Sequence, residues 1–327
     1  MKALVYSAPN AAAVQDVERP TIGPDEILVR SRTVGICHSD FELLEGRYII
    51  PFHYPITPGH EWTGEVAEIG SSVGGFQVAD RVVGECVVGP GGRDHFGFNI
   101  SGAAAEWFVV KAEWLHHIPD ALSDTQAALV EPFSVAYNAV RCLGGVDPSD
   151  TVAVLGGGPI GLLSLLAAAA SNASVVVIEP QATRRTIAER LGARATLDPT
   201  ADDFRDAVAD VTGGRNFDAV IEAAGSPAAM ALALEIAGHS GRIAYAGINV
   251  GSSVPAPLGL IQSKALRLRG LIGSAGLWPQ TIRMLASGAA DPAQIVTTTI
   301  DLENATDALA AARDTANNIK VHIRTMA

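Results

Sequence analysis

Two groups of residues have types and spacings that can do chemistry. The first is contiguous: an apolar run at 152–155, the turn Gly156, Gly157, Gly158, Pro159, Ile160 and Gly161, an alanine- and leucine-rich stretch, and a second apolar run at 175–178 that ends in Glu179. That is strand, G-x-G-x-x-G, helix, strand and carboxylate, in the order a dinucleotide-binding βαβ unit requires. Gly156 permits the tight turn, Gly158 lets the backbone approach a pyrophosphate, and Gly161 lets the helix pack close to the strand. The N–H groups and positive helix end around Pro159 and Ile160 then hold the phosphates. Glu179 is placed to bond both ribose hydroxyls and to repel a 2′-phosphate, so NAD is expected over NADP. Arg184 and Arg185 come next and can meet a phosphate; a solvated helix position is the plainer reading, favoured for Arg185.

The second group is scattered: Cys37, the pair His60-Glu61, and Glu131. Thiolate, imidazole and carboxylate suit Zn²⁺, and three protein ligands with an open position describe a catalytic site. Each residue also has an ordinary reading: Cys37 as a small buried hydrophobe, His60 as a core histidine, the glutamates as solvated charges.

The elements that must position these residues differ in texture. Residues 1–135 alternate short β-rich runs (2–6, 26–36, 61–69, 80–85, 106–110) with Gly and Pro turns, which predicts a compact, mainly β, barrel-like domain. Ser39 to Glu42 reads as a capping box opening a helix toward Glu45. Ser123 with Gln126 is another. Its helix is expected to break before Pro132, leaving Glu131 at the break, with a new helix over 133–143. That helix is expected to bridge two domains and set Glu131 at the mouth of a cleft. From residue 151, strands at 195–197, 217–223, 242–247 and 266–272 alternate with helices, predicting a six-stranded doubly wound parallel sheet, an α/β Rossmann domain over 136–274. The tail from 275 to 327 returns to the first domain with helices near 280–287 and 304–313 and a strand at 320–324.

Composition narrows the partners. Hydrophobic residues make up 48% of the 327-residue chain and charged ones 18%, which suits a packed α/β enzyme. A net charge of −12 argues against nucleic acid and anionic membrane. No signal sequence precedes the first strand, and the apolar helix at 160–170 is too short to span a bilayer, so a cytoplasmic location is expected. Three cysteines, Cys37, Cys86 and Cys142, make no disulfide framework.

Several motifs together resemble the zinc-dependent medium-chain alcohol dehydrogenases: Gly-Ile-Cys-His-Ser-Asp at 35–40, Pro-Gly-His-Glu-Trp-Thr-Gly-Glu-Val at 58–66, Ala-Asp-Arg-Val at 79–82, Glu-Pro-Phe-Ser-Val-Ala at 131–136 and Gly-Gly-Gly-Pro-Ile-Gly-Leu at 156–162. The resemblance covers essentially the whole chain. Glu131-Pro132 makes it most similar to the polyol and threonine dehydrogenase branch. It implies a GroES-like catalytic domain, a Rossmann domain, and reversible oxidation of a small-molecule alcohol by NAD. It implies Cys37 and His60 as zinc ligands, with Glu61 and Glu131 competing for the remaining place. One thiolate and one carboxylate neutralise Zn²⁺, whereas a second carboxylate leaves an excess negative charge. One glutamate is therefore expected to bind firmly while the other alternates with water or substrate. By the same resemblance, Asp40 orients His60 and Ser39 takes the alcohol proton.

Departures from the family pattern carry expectations too. Glu42 replaces the histidine that usually passes the proton onward. Cys86 stands alone where the structural-zinc lobe needs four cysteines, so one zinc is expected and 89–102 reads as a shorter surface loop. Gly273-Ser274 replaces an arginine-tyrosine pair, which disfavours sorbitol. Phe41, Tyr54, Trp107 and Trp278 are possible pocket walls, and Arg47, His53 and His95 possible partners for extra hydroxyls of a polyol, sugar, cyclitol or amino alcohol. By analogy the last Rossmann strand forms a dimer or tetramer edge. The rival readings are a zinc-free enone or quinone reductase and a non-catalytic dinucleotide-binding protein.

Overall fold

The computed structural model describes residues 1–248, 253–274 and 276–325, so the boundary expected at residue 275 lies outside the described residues. The chain divides into two compact units. One comprises Met1–Glu131, Trp278–Gly288 and Ala293–Ala327; the other comprises Pro132–Leu277 and Ala289–Pro292.

In the first unit the strand Glu26–Gly35 is the hub. It pairs antiparallel with Glu61–Ile69, Trp107–Lys111 and the closing strand Lys320–Arg324. The sheet order is Val296–Asp301, Lys320–Arg324, Glu26–Gly35, Glu61–Ile69, Arg81–Gly84 and Leu115–His117. The end of the hub is where chemistry collects, because Gly35 faces Glu61 on one side and His322 on the other. Gly35 is required there: a methyl group would run into Glu61 Oε2.

Two local expectations need correcting in this unit. The helix His38–Leu44 is capped by Cys37, not Ser39, and the Cys37 N–H donates to Asp40 Oδ2 at 2.8 Å. Asp at the third helical position supplies the returning acceptor of a capping box better placed than Glu42. The Ser123–Gln126 box forms as read, but its helix Asp124–Ala128 stops at Leu129, and Val130–Cys142 begins before the proline. Glu131 thus lies in a first helical turn, where proline is tolerated because the N–H it lacks would have no intrahelical partner.

The second unit is a parallel sheet in the order Ala195–Leu197, Ser174–Ile178, Thr151–Leu155, Phe217–Glu222, Ala237–Tyr245, Arg267–Gly270. Every residue of Thr151–Leu155 is buried, as a strand covered on both faces must be. The strand order reverses direction beside Leu155 and Glu222, and in doubly wound sheets ligands bind at that point, outside the carboxyl ends of the strands.

Candidate metal centre and nucleotide site

Three donors expected from the sequence converge in the first unit. One ligand atom each from Cys37, His60 and Glu61 lie within 4.8 Å of one another, the one such cluster among the described residues. Cys37 arrives from the cap of a helix, and Glu61 opens the strand paired to the hub. Asp40 Oδ1 stands 3.4 Å from His60 Nδ1, which turns the other ring nitrogen toward the donors. Burial disfavours a charged His60, but the Asp40 carboxylate and Cys37 outweigh it and raise the imidazole well above its usual range.

The set fits a zinc ion. Glu61 Oε2, on the carboxylate that joins the cluster, is buried without a hydrogen-bond partner among the described residues, and a cation beside it would answer it. A soft thiolate with imidazole and carboxylate is the donor chemistry that ion prefers, and no fourth protein donor joins the cluster among the described residues.

Glu131 does not join that group. It remains within electrostatic reach: burial pushes its carboxyl up to about 7, His60 pulling it down and Glu61 pushing it further up. Lys320, which sequence reasoning missed, alters the charge balance. Its ammonium is buried, donates to Glu61 Oε1 at 2.7 Å and to the Ile36 carbonyl at 3.0 Å, and lies 2.5 Å from Glu61 Oε2 outside hydrogen-bond geometry. Burial opposes its charge, and Glu61 together with Cys37 holds it protonated. With that ammonium counted, a divalent ion can accept one thiolate and two ionised carboxylates without excess charge; Asp40, tied to the Cys37 N–H, is extra.

Ser39 sits in the first turn of the same helix, half-buried, and its hydroxyl makes no hydrogen bond among the described residues. The suggested pocket walls have other work. Phe41 stacks under the Arg313 guanidinium, Tyr54 donates to the Leu43 carbonyl, Trp107 lies beneath Arg19, and Trp278 stacks on His116. His53 is exposed and Arg47 pairs with Glu45, whereas His95 is half-buried against Tyr48.

In the second unit the glycine turn is shaped as its sequence requires. Gly156 has φ of 102°, and a Cβ at Gly161 would run into the Gly156 carbonyl. The helix Pro159–Ala169 starts with proline after Gly158 and has no acid in its first turn, so its positive end is uncompensated. Ile160 is half-buried in that turn. Glu179 is buried and folded back onto the turn: Oε2 accepts from the Gly157 N–H at 2.6 Å and Oε1 from the Gln181 N–H at 2.9 Å. Arg184 packs beside it, its Cβ 3.1 Å from where a Gly157 side chain would begin. Arg185 is not the solvated residue expected; it donates to the Glu179 and Pro180 carbonyls at 2.7 Å and pairs with Asp198 at 3.0 Å. A second buried carboxylate went unread: Glu222 Oε1 accepts from the Ala224 and Gly225 N–H groups. Its signal was a lone acid ending an apolar strand.

The comparisons with known proteins agree with this geometry. Residues 23–120 match the alcohol dehydrogenase GroES-like domain, and residues 159–287 match the zinc-binding dehydrogenase domain. Sorbitol dehydrogenase of Bacillus subtilis is 31% identical, covering 94% of this chain and 92% of that protein. The crystal structure of 2R,3R-butanediol dehydrogenase from Bacillus subtilis superposes with a TM-score of 0.91 at 28% identity, over 99% of both chains. A zinc-binding dehydrogenase of Sinorhizobium meliloti 1021, bound to NADP, gives a TM-score of 0.92 at 30% identity, again over 99% of both. The chain belongs to the zinc-dependent medium-chain alcohol dehydrogenase family, a class of NAD(P)-dependent oxidoreductases with a GroES-like and a Rossmann domain. No described helix is long and apolar enough to cross a membrane.

Proposed function

We propose that this chain oxidises a secondary alcohol bearing further polar groups (a polyol, sugar, cyclitol or amino alcohol), passing a hydride to NAD, with one catalytic zinc and no structural zinc. The observation that carries this reading is the convergence of Cys37, His60 and Glu61, with a buried Glu61 oxygen that a cation would answer. Zinc bound there would lower the pKa of a coordinated hydroxyl, as it does for water. Cys37, His60 and Glu61 would hold the ion, Glu131 would be the approaching carboxylate, Asp40 would orient His60, and the Ser39 hydroxyl, unpartnered among the described residues, would take the alcohol proton. Lys320 holds Glu61 in an ion pair while Glu131 is left free to approach.

In the other unit the Gly156–Gly161 turn, with Gly158, Pro159 and Ile160, receives the pyrophosphate. Glu179 favours NAD, since its buried carboxylate repels a 2′-phosphate, and Arg184 flanks the ribose. The edge strand Arg267–Gly270, with Leu268 exposed, supports a homodimer or homotetramer.

Metal analysis and an alcohol screen with both nucleotides test the reading. Stoichiometric zinc, oxidation of polyhydric alcohols, and NAD preferred at least about tenfold in kcat/KM are the expected results. A zinc-free preparation that reduces enones would establish the reductase rival. Nucleotide binding with no turnover on any alcohol after zinc loading would establish the non-catalytic one. The sorbitol dehydrogenase relative keeps polyols foremost in the screen.

A further inference from the structure

A pair of polar groups lies beside the metal cluster with no part in the chemistry above. The ring of Tyr48 stacks on Phe98 with centroids 4.1 Å apart and planes 5° from parallel. Phe98 in turn leans on the His60 imidazole at 4.6 Å. Tyr48 is therefore one aromatic ring removed from a metal-binding side chain, yet it is only half-buried and its hydroxyl is free of the backbone. That hydroxyl lies 3.0 Å from His95 Nδ1.

His95 is fixed by its surroundings. It belongs to the short strand Asp94–His95, paired with Val87–Val88, and its backbone N–H donates to Asn99 Oδ1 at 2.7 Å. Burial lowers its proton affinity. A neutral ring meets Tyr48 with Nδ1 either as an acceptor or as an N–H donor, and the phenol accommodates both. In either case the Tyr48 oxygen keeps a lone pair for a hydroxyl that donates to it.

We propose that Tyr48 Oη is a second hydroxyl-binding subsite for the substrate, with His95 as its positioning residue. The inference rests on the alcohol-oxidation reading and narrows its substrate to vicinal diols and their polyol relatives: the hydroxyl to be oxidised goes to the metal cluster and its neighbour donates to Tyr48. The face of Tyr48 turned away from Phe98 supplies apolar cover for the carbon chain.

The test compares a vicinal butanediol with the matching butanol in zinc-loaded wild type, Tyr48→Phe and His95→Gln. Removing one accepting hydroxyl should lower the preference for diol over mono-alcohol about tenfold, the loss appearing in KM rather than kcat. His95→Gln should lower it a few-fold, since Tyr48 loses its orientation but keeps its oxygen. Calorimetric titration of the diol into the NADH-loaded enzyme reads the same difference without turnover, about tenfold in Kd for Tyr48→Phe, with zinc content unchanged. A preference and a Kd that do not move in Tyr48→Phe overturn the proposal. Equal losses on both substrates, or loss of zinc, also overturn it by making Tyr48 a structural support. If wild type oxidises no alcohol at all, the broader reading has failed, and the calorimetric comparison still decides whether Tyr48 binds the diol.

Discussion

In the unit that carries Cys37, buried polar side chains answer one another: Asp40 faces His60, and Glu61 faces Lys320. In the unit that carries Gly156, buried carboxylates at the binding end of the sheet answer main chain: Glu179 takes the Gly157 and Gln181 N–H groups, Glu222 those of Ala224 and Gly225. Its ion pair of Asp150 with the half-buried Arg242 stands at the opening of the strand Thr151–Leu155, away from that end. A site built of converging side chains depends on every contributor, because truncating one leaves another charge buried and unanswered. A site built of main-chain N–H groups tolerates side-chain change and is vulnerable only where a Cβ intrudes.

The largest expected effect separates the two units outright. His60→Ala should abolish zinc retention and lower alcohol oxidation by roughly 10³-fold or more, since the Lewis acid contributes several kcal/mol to the chemical step. NADH affinity, read by fluorescence titration, should stay within about twofold. A parallel fall in NADH binding would show that the units are not independent. Lys320→Met comes next. In zinc-free protein it strands the Glu61 carboxylate and should cost about 3–5 kcal/mol in denaturant unfolding. Zinc loading should recover much of that loss, because the ion then answers Glu61. An equal cost with and without zinc would place Lys320 outside the metal chemistry.

The converse experiment acts on the main-chain site. Gly161→Ala sets a methyl group against the Gly156 carbonyl, forcing helix and strand apart. It should weaken NADH binding about tenfold, through strain of about 1–3 kcal/mol, with zinc content unchanged. Full NADH affinity in that variant would mean the turn adapts, and that close packing at Gly161 matters less than it does in the resting geometry.

The same contrast explains what could be read from the sequence. The nucleotide unit was legible because its determinants are local: turn, helix start and terminal acid lie in a single run, and alternating strands and helices announced the parallel sheet. Even there the direction of the Glu179 carboxylate was hidden, since a strand end fixes where a side chain begins but not which donor it finds. The metal site was half legible. Cys37 and His60-Glu61 stood out by type, but Lys320 is an ordinary cation opening a strand that also ends in one, Arg324, 259 residues from Glu61, and only the antiparallel pairing of Lys320–Arg324 with the hub brings it in. Tyr48 and His95 were similarly dispersed, 47 residues apart with strands of the main sheet between them, so no local pattern announces their pairing. The cap at Cys37 and the early start of Val130–Cys142 were misread by one or two positions, because neighbouring residues offered equally good local signals.

The smallest effect tests the cost of burying polar side chains in the first unit. His322 is fully buried in the closing strand, and neither ring nitrogen has a hydrogen-bond partner among the described residues. Burial, with Lys320 nearby, holds its pKa down at about 3, far below the ordinary imidazole value of 6.5. Between those values the unfolded chain binds a proton that the folded chain refuses, so stability falls as pH drops below about 6.5, by up to about 1.4 kcal/mol per pH unit. His322→Phe keeps the ring shape and removes the titration, along with the desolvation cost of the two nitrogens. The variant should match or exceed wild type near neutral pH, and its advantage in Tm should widen by roughly 3–6 °C on going to pH 5. Because other titrating groups are common to both proteins, the difference between the two melting curves isolates residue 322. A gap that stays constant with pH would mean that His322 titrates in the fold as it does in the unfolded chain, and a gap that narrows toward pH 5 would mean that it is already protonated in the fold. The first unit would then hold one more answered charge than its hydrogen bonds reveal, and its contrast with the nucleotide unit would be sharper still.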